Sequence, residues 1–282
     1  MTRSFVVFYI FVYGRLHLRG AGALIRFAAR YLPGLQAYWY PVPGVGTIKL
    51  DFRDRSACRM VNFSLGQLGP DGFLFHLMGR SMAPGAVLWD IGANIGWVCA
   101  QFVRPEYALS SIQAFEPNPH ALKSLLSLFE NHPRVRVHPF GLGRREEKAQ
   151  LNVVPDSSDL SSLRRKLENG QSVAVRILCG DDAGAKFDLP LPDVVKIDVE
   201  GFEPDVVAGL KNVIARQQPV IFFEYHFLTN EEIQGMIPVG YEIFLMLDDG
   251  SLTSNFSKRG LGHDAVLFPA SKCSLFDGVP RA

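Results

Sequence analysis

Residues 86–96 read AVLWDIGANIG, and this stretch decides the fold. AVLWDI is a short apolar run that ends in an acid, and the glycines behind it open a helix reaching about Phe102. A buried strand, a glycine turn and a helix form the opening unit of a parallel α/β sheet. Gly92 lets the backbone turn tightly, and Gly96 lets helix, strand or ligand approach closely. The spacing departs from the dinucleotide fingerprint G-x-G-x-x-G, because Asn94 stands where its middle glycine would be. Asp90 sets a carboxylate at the strand end, where a cationic ligand fits better than a diphosphate.

Working outward, the same alternation continues. Apolar runs at 112–116, 135–140, 194–199 and 219–225 read as strands, with helices over 71–82, 119–130 and 203–216. Continuous apolar strands between helices predict a mostly parallel sheet covered on both faces. Tyr241–Leu247 and Asp264–Phe268 have no clear helix between them and read as an antiparallel finish. Upstream, TIKLDF and ACRMVNFS, between Gly46 and Ser64, predict a hairpin turning at Asp54-Arg55-Ser56. Residues 21–32 predict a helix with Leu24, Ile25, Phe27, Ala28, Tyr31 and Leu32 on one broad face and Arg26 and Arg30 on the other. Pro33-Gly34 ends it, and Pro41, Pro43 and Gly44 mark a linker. The expected organisation is a basic helical extension over 1–45 and one α/β domain over 46–282, with its core at about 70–270.

Charge divides the chain the same way. The 282 residues carry 29 Lys+Arg and 28 Asp+Glu, a net charge of +1 that excludes a globally basic nucleic-acid binder. Yet residues 1–50 hold Arg3, Arg15, Arg19, Arg26, Arg30 and Lys49 and no carboxylate. The first fifty residues therefore have a different task, for which packing on the domain, lidding the acceptor site and peripheral contact with an anionic membrane are the readings. The apolar run Ser4–Tyr13 is shorter than the about 20 residues a membrane span needs, and it lacks a clean signal-cleavage site. Cys58, Cys99, Cys179 and Cys273 show no C-x-x-C spacing, which excludes a zinc framework and predicts thiols in a reducing cytoplasm.

The candidate chemistry gathers at strand ends, where open α/β sheets bind ligands. Glu116 closes the second core strand, and a carboxylate there can accept from both hydroxyls of a ribose. Lys196, Asp198 and Glu200 alternate along the fourth core strand, and charges there are costly unless paired or used. Glu224 and His226 end the fifth. His226 is the first candidate for a general base, with Asp198 or Glu224 orienting or replacing it. A divalent metal held by Asp198, Glu224 and His226 is the lesser alternative, and the working expectation is no metal.

DIGANIG (90–96), FEPNP (115–119), KIDVEGFE (196–203) and PVIFFE (219–224) stand in the order and spacing of the FkbM-type methyltransferases, which the chain resembles over about 70–270. The resemblance implies a class I methyltransferase, Rossmann-like α/β fold with a seven-stranded sheet in the order 3-2-1-4-5-7-6, the seventh strand antiparallel. It implies S-adenosylmethionine as cofactor and O-methylation of a hydroxyl on a sugar, glycan, lipid or polyketide-type acceptor. Carried over by motif, Asp90, Gly92, Asn94 and Gly96 would wall the methionine part, and Glu116 would hold the ribose. Asp181 or Asp182 would lie near the adenine, although Cys179-Gly180 stand before them where the family commonly has a leucine. Ser161-Ser162 resembles, more weakly, a small polar stretch of the family.

Two other readings compete. A nicotinamide-dependent oxidoreductase would use the same acid at Glu116, but the missing middle glycine argues against it. A non-catalytic interaction module would have no use for Asp90, Glu116 and Asp198 together. A nucleic-acid methyltransferase lacks a basic stripe with interleaved aromatics. The acceptor and the oligomeric state are not written in the sequence.

Overall fold

The computed structural model describes residues 6–8, 21–42, 44–64, 71–154, 157–166, 168, 170–260 and 262–282. Most of the apolar run at 4–13, with Arg3, Arg15 and Arg19, lies outside them.

Chain order begins with helix α1 (Ala21–Ala29), strands β1 (Tyr38–Val42) and β2 (Gly46–Leu50), and helices α2 (Arg55–Ser64) and α3 (Asp71–Arg80). The core then alternates through β3 (Val87–Ile91), α4 (Trp97–Phe102), β4 (Ser111–Phe115), α5 (Pro119–Phe129) and β5 (Val135–His138). Four further strands follow, β6 (Gly141–Gly143), β7 (Glu147–Val154), β8 (Ser157–Ser162) and β9 (Gln171–Cys179). The core resumes with α6 (Gly180–Lys186), β10 (Val194–Ile197), α7 (Glu203–Gly209), α8 (Lys211–Gln217), β11 (Val220–Glu224) and α9 (Asn230–Met236). It closes with β12 (Tyr241–Met246), β13 (Leu252–Thr253) and β14 (Asp264–Pro269).

The main sheet runs β13-β12-β14-β11-β10-β3-β4-β5. From β5 to β11 the pairs are parallel, and β14 is antiparallel to both β11 and β12. Numbering the core strands along the chain reproduces the order 3-2-1-4-5-7-6, with the two-residue β13 added at the edge. Side chains alternate between two buried layers, as strand geometry requires. Leu88, Ile112, Ala114, Val194 and Phe222 face one, with Met60, Leu77, Val98 and Leu125 of the covering helices. Trp89, Phe115, Val195, Ile197 and Phe223 face the other, with Ala183, Val206, Ile214 and Ile233. This double burial is why the strands read as unbroken apolar runs.

Four expectations are corrected. The hairpin is β1–β2, in register from Tyr38↔Leu50 to Val42↔Gly46, so Pro41 of the expected linker lies in a strand and Gly44 in the turn, while Pro43 lies outside the described residues. Gly44 has φ +75°, and the Val45 N–H donates to the Val42 carbonyl. The stretch expected to return from Asp54 is instead α2: the Asp54 carboxylate accepts from the Ser56 N–H, and Ser56, Ala57, Met60 and Val61 are buried at helical spacing. The boundary expected at residue 45 therefore falls inside a hairpin. The single helix expected over 203–216 is two, α7 and α8, meeting at Leu210.

The fourth correction is an addition. A second sheet, β6-β9-β7-β8, spans 141–179, which the core pattern left unassigned. Leu151, Val153, Val175 and Ile177 form its buried face, an alternation plainly present in QSVAVRILC.

Candidate active site

The β3–α4 turn is built by its glycines. Gly92 has φ +86°, and a Cβ there would overlap the carbonyl oxygen of Asp198. Gly96 has φ +92° and lies against Leu125 and Phe129 of α5. The Gly92 and Ala93 N–H groups donate to the Phe115 carbonyl, which ties the turn to the end of β4 (2.9 and 3.0 Å). Asn94 turns with φ +49°, and its N–H donates to Glu116 Oε2 at 2.7 Å. The Asn118 N–H donates to Glu116 Oε1 at 2.6 Å. Two backbone donors thus aim the Glu116 carboxylate. Burial pushes its pKa up to about 7, against the opposing pull of those N–H groups. Asp90 is fully buried, accepts from the Cys99 thiol at 3.1 Å, and is raised by burial to about 6.

These residues line one end of a cavity of about 400 Å³ at the carboxyl ends of β3, β4, β10 and β11. Asp90, Gly92, Asn94 and Glu116 reach it, with Pro117, Gly141 and Leu142 beside them. Gly96 does not; it packs the helix onto α5.

At the other end stand Lys196, Asp198, Glu200, Glu224, His263 and Asp264. Carboxylate oxygens of Asp198, Glu200 and Glu224 lie within 4.8 Å of one another. Lys196 reaches Asp264 at 3.4 Å and Asp198 at 3.8 Å. Burial alone would lower the Lys196 pKa, but Asp198, Asp264 and Glu224 outweigh it and keep the ammonium charged. Burial, then the charges of Asp198 and Glu200, raise Glu224 well above the carboxylate range. Glu203 braces the loop behind them: its Oε1 accepts from the Val199 and Gly201 N–H groups (3.1 and 3.2 Å). The roof is Leu151, Ser161 and Leu163 of the second sheet and the loop after it, and Arg55, Ser56 and Arg59 of α2 form a further wall. The Ser162 hydroxyl donates to the Glu200 carbonyl at 2.9 Å and ties roof to floor.

Besides Gly96, three expected site residues lie elsewhere. Asp181 accepts from the Asn212 and Val213 N–H groups at 2.9–3.1 Å, capping α8. Neither it nor the exposed Asp182 lines the cavity. His226 is exposed, with its ring centroid 5.0 Å from that of His263, and it does not line the cavity. Partial burial, with His263, Arg165 and Arg259, lowers its pKa, which suits a base but not at this place. Alternation explains the miss: Glu224 points into the cavity, while the chain turns after Tyr225 and carries His226 out. His263 and Asp264 were missed in turn, although a signal existed. An antiparallel last strand starts where its parallel neighbours end, so its first residues must join their carboxyl ends; Asp264 indeed pairs with Glu224.

A mostly parallel sheet in the order 3-2-1-4-5-7-6, with a glycine turn at its centre and an acid at the end of the next strand, has the architecture of the class I, S-adenosylmethionine-dependent methyltransferases. The family model described as the methyltransferase FkbM domain matches residues 90–250, and the chain belongs to that family. Among curated relatives, the hexuronic acid methyltransferase AglP of Haloferax volcanii is 26% identical over 184 residues, 64% of this chain and 69% of that protein. Methyltransferase 1 of Beauveria bassiana is 29% identical over 143 residues, 43% of this chain and 57% of that protein. The crystal structure of methyltransferase FkbM from Methylobacillus flagellatus aligns with a TM-score of 0.44 at 17% identity, covering 76% of this chain and 54% of that one. The chain thus spans about half the length of that solved structure.

Proposed function

We propose that the protein transfers a methyl group from S-adenosylmethionine to a hydroxyl of a sugar-type acceptor, a hexuronic acid or a glycan carrying one. The observation that carries the reading is Glu116, a buried carboxylate aimed by two backbone donors into a cavity whose far end holds a lysine-paired acid cluster. The donor set fits the cofactor: Glu116 would accept from the ribose hydroxyls, while Asp90 and the Gly92–Asn94 turn would hold the methionine part and the sulfonium. When bound, S-adenosylmethionine supplies an electrophilic methyl group on a sulfonium. Asp198 or Glu224 takes the acceptor's hydroxyl proton, with the Lys196 ammonium beside them. His263, at the same wall, stands beside this pair. The name of the archaeal relative supports the acceptor class. No metal enters this scheme, in which Lys196 balances the acids.

Among the described residues, no helix is long and apolar enough to cross a membrane.

The test is calorimetric titration of the full chain with S-adenosylhomocysteine and with NADH, then mass spectrometry of uronic acids and neutral sugars incubated with S-adenosylmethionine. Binding of S-adenosylhomocysteine and one added methyl on a uronic acid are expected. Binding of NADH in its place would assign an oxidoreductase. Binding of neither, with no product, would leave a non-catalytic module.

A further inference from the structure

The N-terminal region exposes apolar side chains that the rest of the molecule hides. Among the described residues the exposed large hydrophobics are Val7, Phe8, Leu24, Phe27, Tyr31, Trp39 and Val239, so all but one lie before residue 40. The sequence places them where the charge is one-sided, because residues 1–50 carry six cations and no carboxylate.

Helix α1 shows how the two features combine. It docks on the core through a narrow stripe, Ala21, Ile25 and Ala29, spaced four apart. Only half of the broad face expected to pack does so: Ile25, Ala28 and Leu32 meet the core, whereas Leu24, Phe27 and Tyr31 are 52%, 57% and 71% exposed. At 100° per residue these three form an outward strip, with Phe27 and Tyr31 in edge contact at 5.3 Å. Arg26 and Arg30 flank the strip on its other side. The hairpin repeats the pairing: Trp39 and Lys49 are register partners on its outward face, both exposed. An outward strip of aromatic and aliphatic side chains edged by arginines, without acids to repel phosphate, is the chemistry of an interfacial helix on an anionic bilayer.

We infer that the outward face of α1, with the neighbouring hairpin face, docks the protein on the surface of a membrane rich in anionic lipid. The arginines meet lipid phosphates, and Leu24, Phe27 and Tyr31 enter the headgroup–acyl boundary. A second copy of the chain is the less favoured occupant, because a self-pairing face would set Arg26 and Arg30 against their own symmetry mates.

The inference is tested by co-sedimentation of the full chain with vesicles, which reads binding independently of methyl transfer. Wild type should sediment with mixed phosphatidylcholine–phosphatidylglycerol vesicles, be released by salt, and stay free of pure phosphatidylcholine. The double changes Phe27→Ser with Tyr31→Ser, and Arg26→Glu with Arg30→Glu, should each weaken binding by about tenfold or more. Phe27, Arg30 and Tyr31 are exposed and Arg26 is half-buried, and unchanged melting temperatures would show that the fold is intact. Equal sedimentation of all three proteins, or none with anionic vesicles, would overturn the inference. So would a dimer in light scattering that Phe27→Ser with Tyr31→Ser dissolves, which would assign the face to a second copy.

Discussion

The two ends of the cavity are built on different plans. At the β3–β4 end, Asp90, Gly92, Asn94 and Glu116 come from two adjacent strand termini, and backbone N–H groups aim the key carboxylate. At the β10–β11–β14 end, Lys196, Asp198, Glu224, His263 and Asp264 come from three strands far apart in sequence, and their charges answer one another. The first end is rigid because main chain holds it. The second is held by side chains, with the Lys196 ammonium set between Asp198 and Asp264. That division suits a common cofactor at one end and a variable acceptor at the other.

The contrast breaks most visibly at Gly92. Gly92→Val places a side chain on the Asp198 carbonyl at a left-handed φ, and should cost on the order of 3 kcal/mol or more. A large fall in melting temperature is expected, with loss of S-adenosylhomocysteine binding; an unchanged melting curve would mean that the two ends are not joined there.

Next come paired changes at the two ends. Glu224→Gln should lower kcat by about 10²–10⁴-fold while leaving S-adenosylhomocysteine affinity within a few-fold. Glu116→Gln should do the reverse, weakening that affinity by about 10–100-fold, the worth of hydrogen bonds to a charged group. Calorimetry and steady-state kinetics on the same preparations separate them, and equal effects on both readouts would merge the two ends into one.

A pH experiment sharpens the first end. Glu116 and Asp90 have pKa values raised to about 7 and about 6 in the folded protein. The unfolded chain loses those protons near pH 4, so their stabilising contribution is full below that pH and fades as pH rises to about 7. Thermal unfolding of the ligand-free protein should show this decline, and Glu116→Gln should flatten part of it. Cofactor affinity should run the other way, since ionised Glu116 is the better acceptor. A Glu116→Gln protein with the wild-type pH profile would show that the carboxylate does not titrate there.

The smallest effect is expected at His226. Because it sits outside the cavity, His226→Ala should change kcat by less than about twofold, whereas a hundredfold loss would return the base to it.

How far each end could be read from sequence follows from the same contrast. Asp90, Gly92 and Glu116 were legible because a strand, a tight turn and a terminal acid are local features with local causes. Asp198 and Glu224 were legible as strand-end acids, but their closeness to one another was not. His226 stood out because it follows the fifth core strand, and nothing local shows that the turn after Tyr225 carries it outward while His263 reaches the cavity. Asp181 and Asp182 were expected near an adenine only through the resemblance, and nothing in their local sequence marks Asp181 as the cap of α8. The second sheet went unassigned because its alternation lies between two core strands and resembles a long connection.

The sequence by itself determined the succession of core strands and helices along the chain, the glycine turn, the strand-end acids and the uneven charge, because each rests on periodicity, backbone freedom or composition. Only the tertiary structure decided which acids meet, which histidine reaches them and which face of α1 stays outside. Those outcomes depend on how distant segments pack, and a side chain's direction is fixed only once its neighbours are in place.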